Sequence, residues 1–172
     1  MNWIVAVLAV VTAFDLPQRS RQLRAARPDE RRVVTLGMIV AAFAVAGSAT
    51  ALLDALDISA PNMQIGAGLV LTIYSLVAIL RWTDDPAPRA IAGGLVPLLF
   101  PLVLTPVVGV VVLAVAARNG VLVPVVSTVA AMALLAWSGS DRVVGVRPVR
   151  MLSGAVGVVV GVAMIVDGSF AV

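Results

Sequence analysis

Six apolar stretches, each close to the length that crosses a bilayer, constrain this chain more than any other feature. A membrane-spanning helix needs roughly 20 consecutive, mostly apolar residues. Such stretches run over residues 1–23, 33–53, 61–80, 90–117, 121–137 and 151–170. The loops between them are short, and none is long enough to fold alone. The sequence therefore predicts an all-α, polytopic membrane protein with six transmembrane helices in a single transmembrane domain, residues 1–172.

The composition favours a membrane protein over a soluble domain. Of the 172 residues, 61% are hydrophobic and 12% are charged, whereas a soluble domain is roughly half apolar and about a quarter charged. The chain has no Cys and no His, so the usual thiol, zinc and haem ligands are missing. No nucleotide-binding or hydrolase motif is visible. We therefore expect no enzyme activity, no metal and no cofactor.

The basic residues predict the orientation in the membrane. All twelve are Arg, and eleven lie in the loops after the first, third and fifth stretches, which leaves only Arg118 on the other side. Basic loops remain in the cytoplasm, so both termini are predicted to lie outside. The same placement argues for topology rather than for a nucleic-acid partner. The Arg-only, Ala- and Val-rich composition is typical of a GC-rich bacterial genome, and the inner membrane is the predicted location.

The first stretch is interrupted at Asp15 and Pro17. Asp15 lies roughly 21 Å along a helix that starts at Met1, at 1.5 Å per residue, and the stretch lacks a small-residue cleavage site, so we expect a retained helix. A carboxylate inside a membrane is a functional candidate. Burial favours its neutral form, so Asp15 is a candidate proton carrier. The alternative is a helix that ends near Phe14, with Asp15 among the headgroups beside Arg19.

The fourth stretch is also irregular. Several helix-breaking residues make a straight helix unfavourable there, namely Gly93, Gly94, Pro97, Pro101, Pro106 and Gly109. Broken helices survive in a membrane where protein or a watery cavity covers their free backbone groups. One interpretation is a substrate site lined by Asp15, Pro17, Pro101, Thr105 and Pro106. The other is a kinked helix that only packs.

Two broken helices three spans apart suggest an internal repeat. Six helices divide into two sets of three. Because three is an odd number, the second set starts on the opposite side of the membrane and has the inverted orientation. Inverted repeats with interrupted helices are a common plan in secondary transporters. The sequence therefore predicts an inverted 3+3 repeat, with repeat one at about 1–82 and repeat two at about 88–172.

A few other residues are candidates for polar or packing roles. Gln64, with Tyr74 and Ser75 further along the third stretch, either lines a polar path beside the site or makes interhelical hydrogen bonds. Asp167 is interpreted as a cap at the outer end of the last helix. Gly157-x-x-x-Gly161 is typical of close helix packing.

Four segments resemble the MarC family of bacterial inner-membrane proteins, within the LysE-type transporter group. Residues 15–17, Asp-Leu-Pro, are similar to the Asn-Leu-Pro that ends that family's first helix motif. Residues 58–68 resemble its entry to helix three, and residues 96–102 with Pro106 resemble its Val-Pro-Leu-Ala-x-Pro-Leu and Gly-Pro-Gly. Residues 164–168 resemble its C-terminal helix. The resemblance implies six helices and a transporter-like fold.

The departures from the family pattern fall at the candidate site. The family's Asn-Pro in helix one is Val11-Thr12 here, its Arg in helix three is Gln64, and its Gly-Pro-Gly is residues 105–107, Thr-Pro-Val. If those family residues shape a substrate site, the site differs in this chain.

These observations support two hypotheses from different classes. The first is a small secondary transporter, an exporter of a small polar or amphiphilic solute. The second is an accessory subunit without transport activity, docked on a larger membrane complex that builds the envelope, or a scaffold that handles lipids. The expected partners are the lipid bilayer and either a second copy in a homodimer or a larger complex.

Overall fold

The computed structural model describes residues 1–15, 28–80, 105–138 and 146–172, with the backbone alone at 28–31, 135–138 and 146–150. Within these residues the chain forms seven α-helices and no strand. The helices are α1 Trp3–Ala13, α2 Pro28–Gly47, α3 Ala49–Ala55, α4 Ala60–Leu80, α5 Pro106–Asn119, α6 Leu122–Ser138 and α7 Val146–Ser169. The prediction of an all-α protein is confirmed.

Two of the described helices are long and apolar enough to cross a membrane, α4 and the Met151–Ser169 part of α7. If the bent pair α2 and α3 is counted as a single span, it is the third. Three shorter apolar helices accompany them, namely α1, α5 and the Leu122–Leu134 part of α6. By length and composition, two or three spans are therefore present among the described residues, where the sequence predicts six over the whole chain.

The second predicted stretch is bent rather than straight. The axes of Arg32–Gly47 and Ala49–Ala55 differ by 47°. The bend falls at Gly47-Ser48, and Gly/Ser pairs are a common cause of sharp kinks. Backbone hydrogen bonds continue across it, from Ser48 N–H to Ala44 O at 3.0 Å and from Leu52 N–H to Ser48 O at 2.8 Å. The helices α2 and α3 therefore form one continuous helix with a kink.

The helices α4 and α7 form the most extensive pair in the described bundle. The start of α4 meets the end of α7, because a Cβ added to Gly168 would lie 3.0 Å from Pro61 O. The end of α4 meets the start of α7, because a Cβ added to Gly154 would lie 2.6 Å from Ile79 Cγ1. The pair is therefore antiparallel.

The contact between these two helices is made through glycine. A Cβ at Gly157 would collide with Ser75 Oγ, and a Cβ at Gly161 would collide with Thr72 Oγ1 and lie 2.8 Å from Gly68 O. Small residues let helix backbones approach closely where lipid gives no hydrophobic drive for association. The predicted packing role of Gly157 and Gly161 is confirmed.

The centre of the bundle is α5, which packs against α1, α2, α3, α4 and α6. Its run from Val111 to Ala116 is buried. Large apolar side chains on the other helices face outward, among them Val40, Leu80 and Val159 at 66%, 77% and 68% exposure. A bundle with apolar side chains both inside and outside is typical of a protein surrounded by lipid.

Two ends of the bundle can be distinguished. Met1, Gln64, Arg118 and Asp167 meet at one end, which we call the Asp167 end. The starts of α1 and α4 and the ends of α5 and α7 thus lie together. The opposite end, which contains the end of α1, is called the Asp15 end.

Candidate functional site

A small polar cavity lies at the Asp15 end between α1, α4 and α7. We call it the Asp15 pocket. Its volume is about 10 Å³, which is room for about one water molecule. It is lined by Thr12, Asp15, Tyr74, Ser75, Ala78, Ser153 and Gly154. Five of these seven residues carry a side-chain oxygen, in a bundle that is otherwise mostly apolar.

The end of α1 places Asp15 in this pocket. The helix stops at Ala13, and its last turn tightens, with Phe14 N–H bonded to Val11 O at 3.3 Å and Asp15 N–H bonded to Thr12 O at 3.2 Å. Asp15 then has a φ of 44°, a left-handed conformation that Asp tolerates better than most residues. The helix therefore ends near Phe14, as one of the two interpretations expected. Asp15 itself is only 6% exposed and is buried against α4 and α7.

The hydroxyl of Thr12 is bonded within its own helix. Its Oγ1 lies 2.7 Å from Leu8 O and 3.2 Å from Ala9 O, and it donates to these carbonyls. A hydroxyl has one hydrogen, so the hydrogen of Thr12 is used within α1.

The other walls of the pocket come from α4 and α7. Ser75 is buried at 3% exposure, and the side chains of Tyr74 and Ser153 are partly buried. Ser75 fits only because α7 has glycine opposite it, at Gly157. The glycine contact that joins α4 to α7 therefore also sets the shape of the pocket.

Among the described residues that line the pocket, Asp15 is the one with a formal charge. Asp15 follows the C-terminal end of α1, where unpaired carbonyls carry partial negative charge. Asp15 and Tyr74 each make further interactions within the protein.

A second polar cluster lies at the Asp167 end. Gln64 Nε2 donates to Asp167 Oδ2 at 2.8 Å and to Met164 O at 3.2 Å. The Met1 amino group lies 3.2 Å from Asp167 Oδ2, and the Arg118 guanidinium lies 3.6 Å from it. Asn119 Nδ2 donates to Met1 O at 3.2 Å. Asp167 thus joins the ends of four helices, a larger role than the predicted helix cap.

The orientation of Gln64 is fixed by these bonds. Both partners of Nε2 are acceptors, so a flipped amide would bring two oxygens together at each contact. Gln64 Oε1 consequently points away from Asp167, and it is buried without a hydrogen bond to the described residues. Gln64 is fully buried and makes the interhelical hydrogen bond that was one of the two interpretations.

The predicted site residues do not all come together. Asp15 lines the Asp15 pocket, whereas Gln64, in α4, lies at the Asp167 end of the bundle. Thr105 is extended, at φ −70° and ψ 148°, and Pro106 is exposed in the first turn of α5, a position that suits proline. Neither lines the Asp15 pocket. Pro17 and Pro101 lie outside the described residues.

The cavity near the start of α5 is lined by apolar residues. A second cavity of about 10 Å³ lies between α2 and α5. It is lined by Met38, Ala41, Ala42, Val45, Val108, Gly109 and Val112. The described residues that line the Asp15 pocket therefore come from the first, third and sixth predicted spans.

Two pocket residues were not identified from the sequence as site residues. Thr12 stands out in the sequence only as a departure from the family motif, and Ser153 has no distinguishing signal. The available signal was weak, because Ser and Thr in membrane helices commonly bond their own backbone. Among the described residues, no three His, Cys, Asp or Glu side chains are grouped so that they could hold a metal ion.

Comparison of the chain with protein-family models, with curated proteins and with solved structures finds no match. The geometry of the pocket and of the bundle is therefore the basis for a functional proposal.

Proposed function

We propose that this chain is a small secondary transporter that exports a small polar or amphiphilic solute across the bacterial inner membrane. The Asp15 pocket is the observation that carries this proposal. One acidic residue and four residues with hydroxyl side chains line one cavity inside an apolar bundle. Buried ionisable groups in membrane segments are costly, and they commonly mark ion and substrate pathways.

The helix arrangement supports a six-span transporter with an inverted repeat. The third helices of the two predicted halves, α4 and α7, lie side by side and antiparallel. The first helix of each half is also paired, since α1 packs against α5 and Met1 meets Asn119. Elements related by a two-fold axis in the membrane plane run in opposite directions. In this proposal Asp15 couples solute movement to an ion gradient, and the Asp15 end faces the cytoplasm.

The proposal predicts an Asp15-dependent flux. Purified protein in liposomes is exposed to a panel of amino acids and cationic amphiphiles under opposed proton and sodium gradients, and charge movement is recorded on a supported membrane. At least one solute should evoke a current in the wild type. Asp15→Asn should abolish the current, because it removes the charge that the ion must neutralise. Asp54→Asn, an exposed carboxylate in α3, is the matched control and should keep the current.

The absence of a current, together with a bound partner, would favour the accessory-subunit hypothesis. If no solute evokes a current, and the detergent-extracted protein carries a stoichiometric partner, the transport proposal is wrong. The outward apolar faces of α2 and α4 would then be covered by that partner instead of lipid.

A further inference from the structure

We infer that Asp167 forms the outer gate of this protein, a charge contact that closes the Asp167 end of the bundle and breaks when that end opens. The inference rests on the proposed function and deepens it, because alternating access requires each end of a transport path to close in turn. The connections between helices at this end, residues 56–59 and 120–121, belong to the described part of the chain.

The four helices that meet at Asp167 form two pairs, and each pair has a hydrogen bond of its own. In the first pair, α1 packs against α5, and Asn119 Nδ2 donates to Met1 O at 3.2 Å. In the second pair, α4 packs against α7, and Gln64 Nε2 donates to Asp167 Oδ2 at 2.8 Å. The first pair thus combines the first helices of the two predicted halves, and the second pair combines their third helices.

One oxygen atom carries the charge contact between the two pairs. The Met1 amino group and the Arg118 guanidinium, both from the first pair, lie 3.2 Å and 3.6 Å from Asp167 Oδ2. The Asp167 side chain is 44% exposed, and ion pairs in contact with solvent contribute little to stability. The α4–α7 contact, by contrast, is close along its length, from Gly168 to Gly154. The second pair is therefore tight, whereas the charge contact between the pairs is weak enough to break.

Opening of this end would also satisfy two buried acceptors. Gln64 Oε1, on the second pair, and Asn119 Oδ1, on the first, are buried without a hydrogen bond to the described residues. A buried polar group is costly when it is unpaired, and protein or water usually satisfies it. Water that enters between the pairs can donate to both oxygens. Opening therefore gains hydrogen bonds that offset part of the lost charge contact.

Opening is measured with one thiol placed beneath the gate, in a chain that has no Cys of its own. Met164 is fully buried and lies about one turn from Asp167 towards the middle of α7. The thiol-binding cation Ag⁺ is added to right-side-out vesicles that carry Met164→Cys, because the Asp167 end faces outward in the proposed orientation. Val162→Cys, on the outward face of the same helix at 46% exposure, should not react, because a thiol surrounded by lipid stays protonated.

Neutralisation of the carboxylate should open the gate. Asp167→Asn keeps an oxygen that can accept from Gln64 but loses the attraction to the two positive groups. We expect it to raise the Ag⁺ rate of Met164→Cys about tenfold, which corresponds to about 1.4 kcal/mol at 25 °C. Arg118→Gln should also raise the rate, and it should add nothing to Asp167→Asn, because both act through one contact. Asp57→Asn, an exposed carboxylate at the same end and outside the contact, is the matched control and should leave the rate unchanged.

Two results would overturn the inference. One is an Ag⁺ rate that Asp167→Asn leaves unchanged, and the other is a double variant whose effect is the product of the two single effects, as general loosening of the bundle would give. If Asp167→Asn does not fold, Arg118→Gln takes its place with the same expected rise. The assay contains no solute. Its failure beside a solute current in the liposome assay would therefore remove this inference alone, and its success without any such current would remove the transport proposal alone.

Discussion

Asp167 shows what a single carboxylate can do at the end of a helix bundle. It accepts a hydrogen bond from Gln64 and lies within 4 Å of two positive groups, the Met1 amino group and the Arg118 guanidinium. A charged group at the end of a bundle is stabilised when its neighbours supply donors and opposite charge. Asp167 therefore stabilises the helix ends that surround it, and Gln64 is its hydrogen-bond donor on α4.

Substitution of Gln64 by Glu tests this contact. Glu cannot donate an N–H to Asp167 Oδ2 or to Met164 O, and it places a second carboxylate beside the first. We expect Gln64→Glu to lower the free energy of unfolding by about 1–3 kcal/mol at neutral pH, measured by denaturant titration in detergent. At acid pH a protonated Glu can donate again, and stability should partly recover.

The control for this substitution is Gln64→Met, which removes the same hydrogen bonds without adding charge. Its loss of stability should be smaller at neutral pH and should not recover in acid. If Gln64→Glu proves as stable as the wild type at neutral pH, the Asp167 end is not held together in the way described here.

The sequence revealed the polar residues but not their partners. Gln64 stands out as an amide in an apolar stretch, and Asp15 as a carboxylate in another. The partner of Gln64 is 103 positions away along the chain. The rotation and depth of the two helices decide this pairing, and neither is encoded in local apolar periodicity. Thr12 and Ser153 were missed as site residues for the same reason.

At the scale of elements, the α4–α7 contact depends on glycines, which have no side chain to keep the two helices apart. Four glycines of α7 face α4, at positions 154, 157, 161 and 168. The sequence predicted one pair of them as a packing motif. The bend at Gly47-Ser48 was not predicted, because a Gly/Ser pair bends some helices and leaves others straight.

Alanine substitutions at this contact should destabilise the protein. The Cβ of Gly161→Ala would meet the backbone carbonyl of Gly68, which cannot move without shifting α4. We expect a loss of about 1–3 kcal/mol in the free energy of unfolding, typical of overpacking. Gly66→Ala is the control in α4, because nothing lies within 4 Å of the added Cβ. It should be neutral, or stabilising by up to about 1 kcal/mol through helix propensity.

Gly157→Ala should behave differently from Gly161→Ala, because the Cβ at Gly157 meets the side chain of Ser75. The second substitution Ser75→Gly should recover part of the stability lost in Gly157→Ala. The equivalent Thr72→Ala should not rescue Gly161→Ala, since the Gly68 carbonyl remains. Equal stabilities for Gly161→Ala and Gly66→Ala would contradict the described packing.

At the scale of the molecule, the helical class and the positions of the apolar elements could be predicted from the sequence. The third predicted stretch, residues 61–80, coincides almost residue for residue with α4, because long apolar runs with clear ends leave few alternatives. Asp15 stands out in the sequence, but its described neighbours on α4 and α7 do not follow from it, because helix pairing depends on the shape of whole faces and not on the order of breaks along the chain.

The central claim is that water and ions reach the Asp15 pocket from the cytoplasmic side of the membrane. The chain contains no Cys, so one introduced thiol reports on one position. Ser153→Cys places it in the pocket wall, and Val159→Cys places it on the outward face of the same helix, where Val159 is 68% exposed. A thiol surrounded by lipid stays protonated and unreactive.

The measurement is the reaction of these two variants with Ag⁺, a thiol-binding cation small enough for a cavity of this size, in inside-out and right-side-out vesicles. The thiols left unreacted are then counted with a maleimide after detergent is added. Ser153→Cys should react with Ag⁺ in inside-out vesicles only, and Val159→Cys should react in neither. If Ser153→Cys remains unreacted from both sides until detergent is added, the pocket is closed to water and ions, and the transport account is wrong.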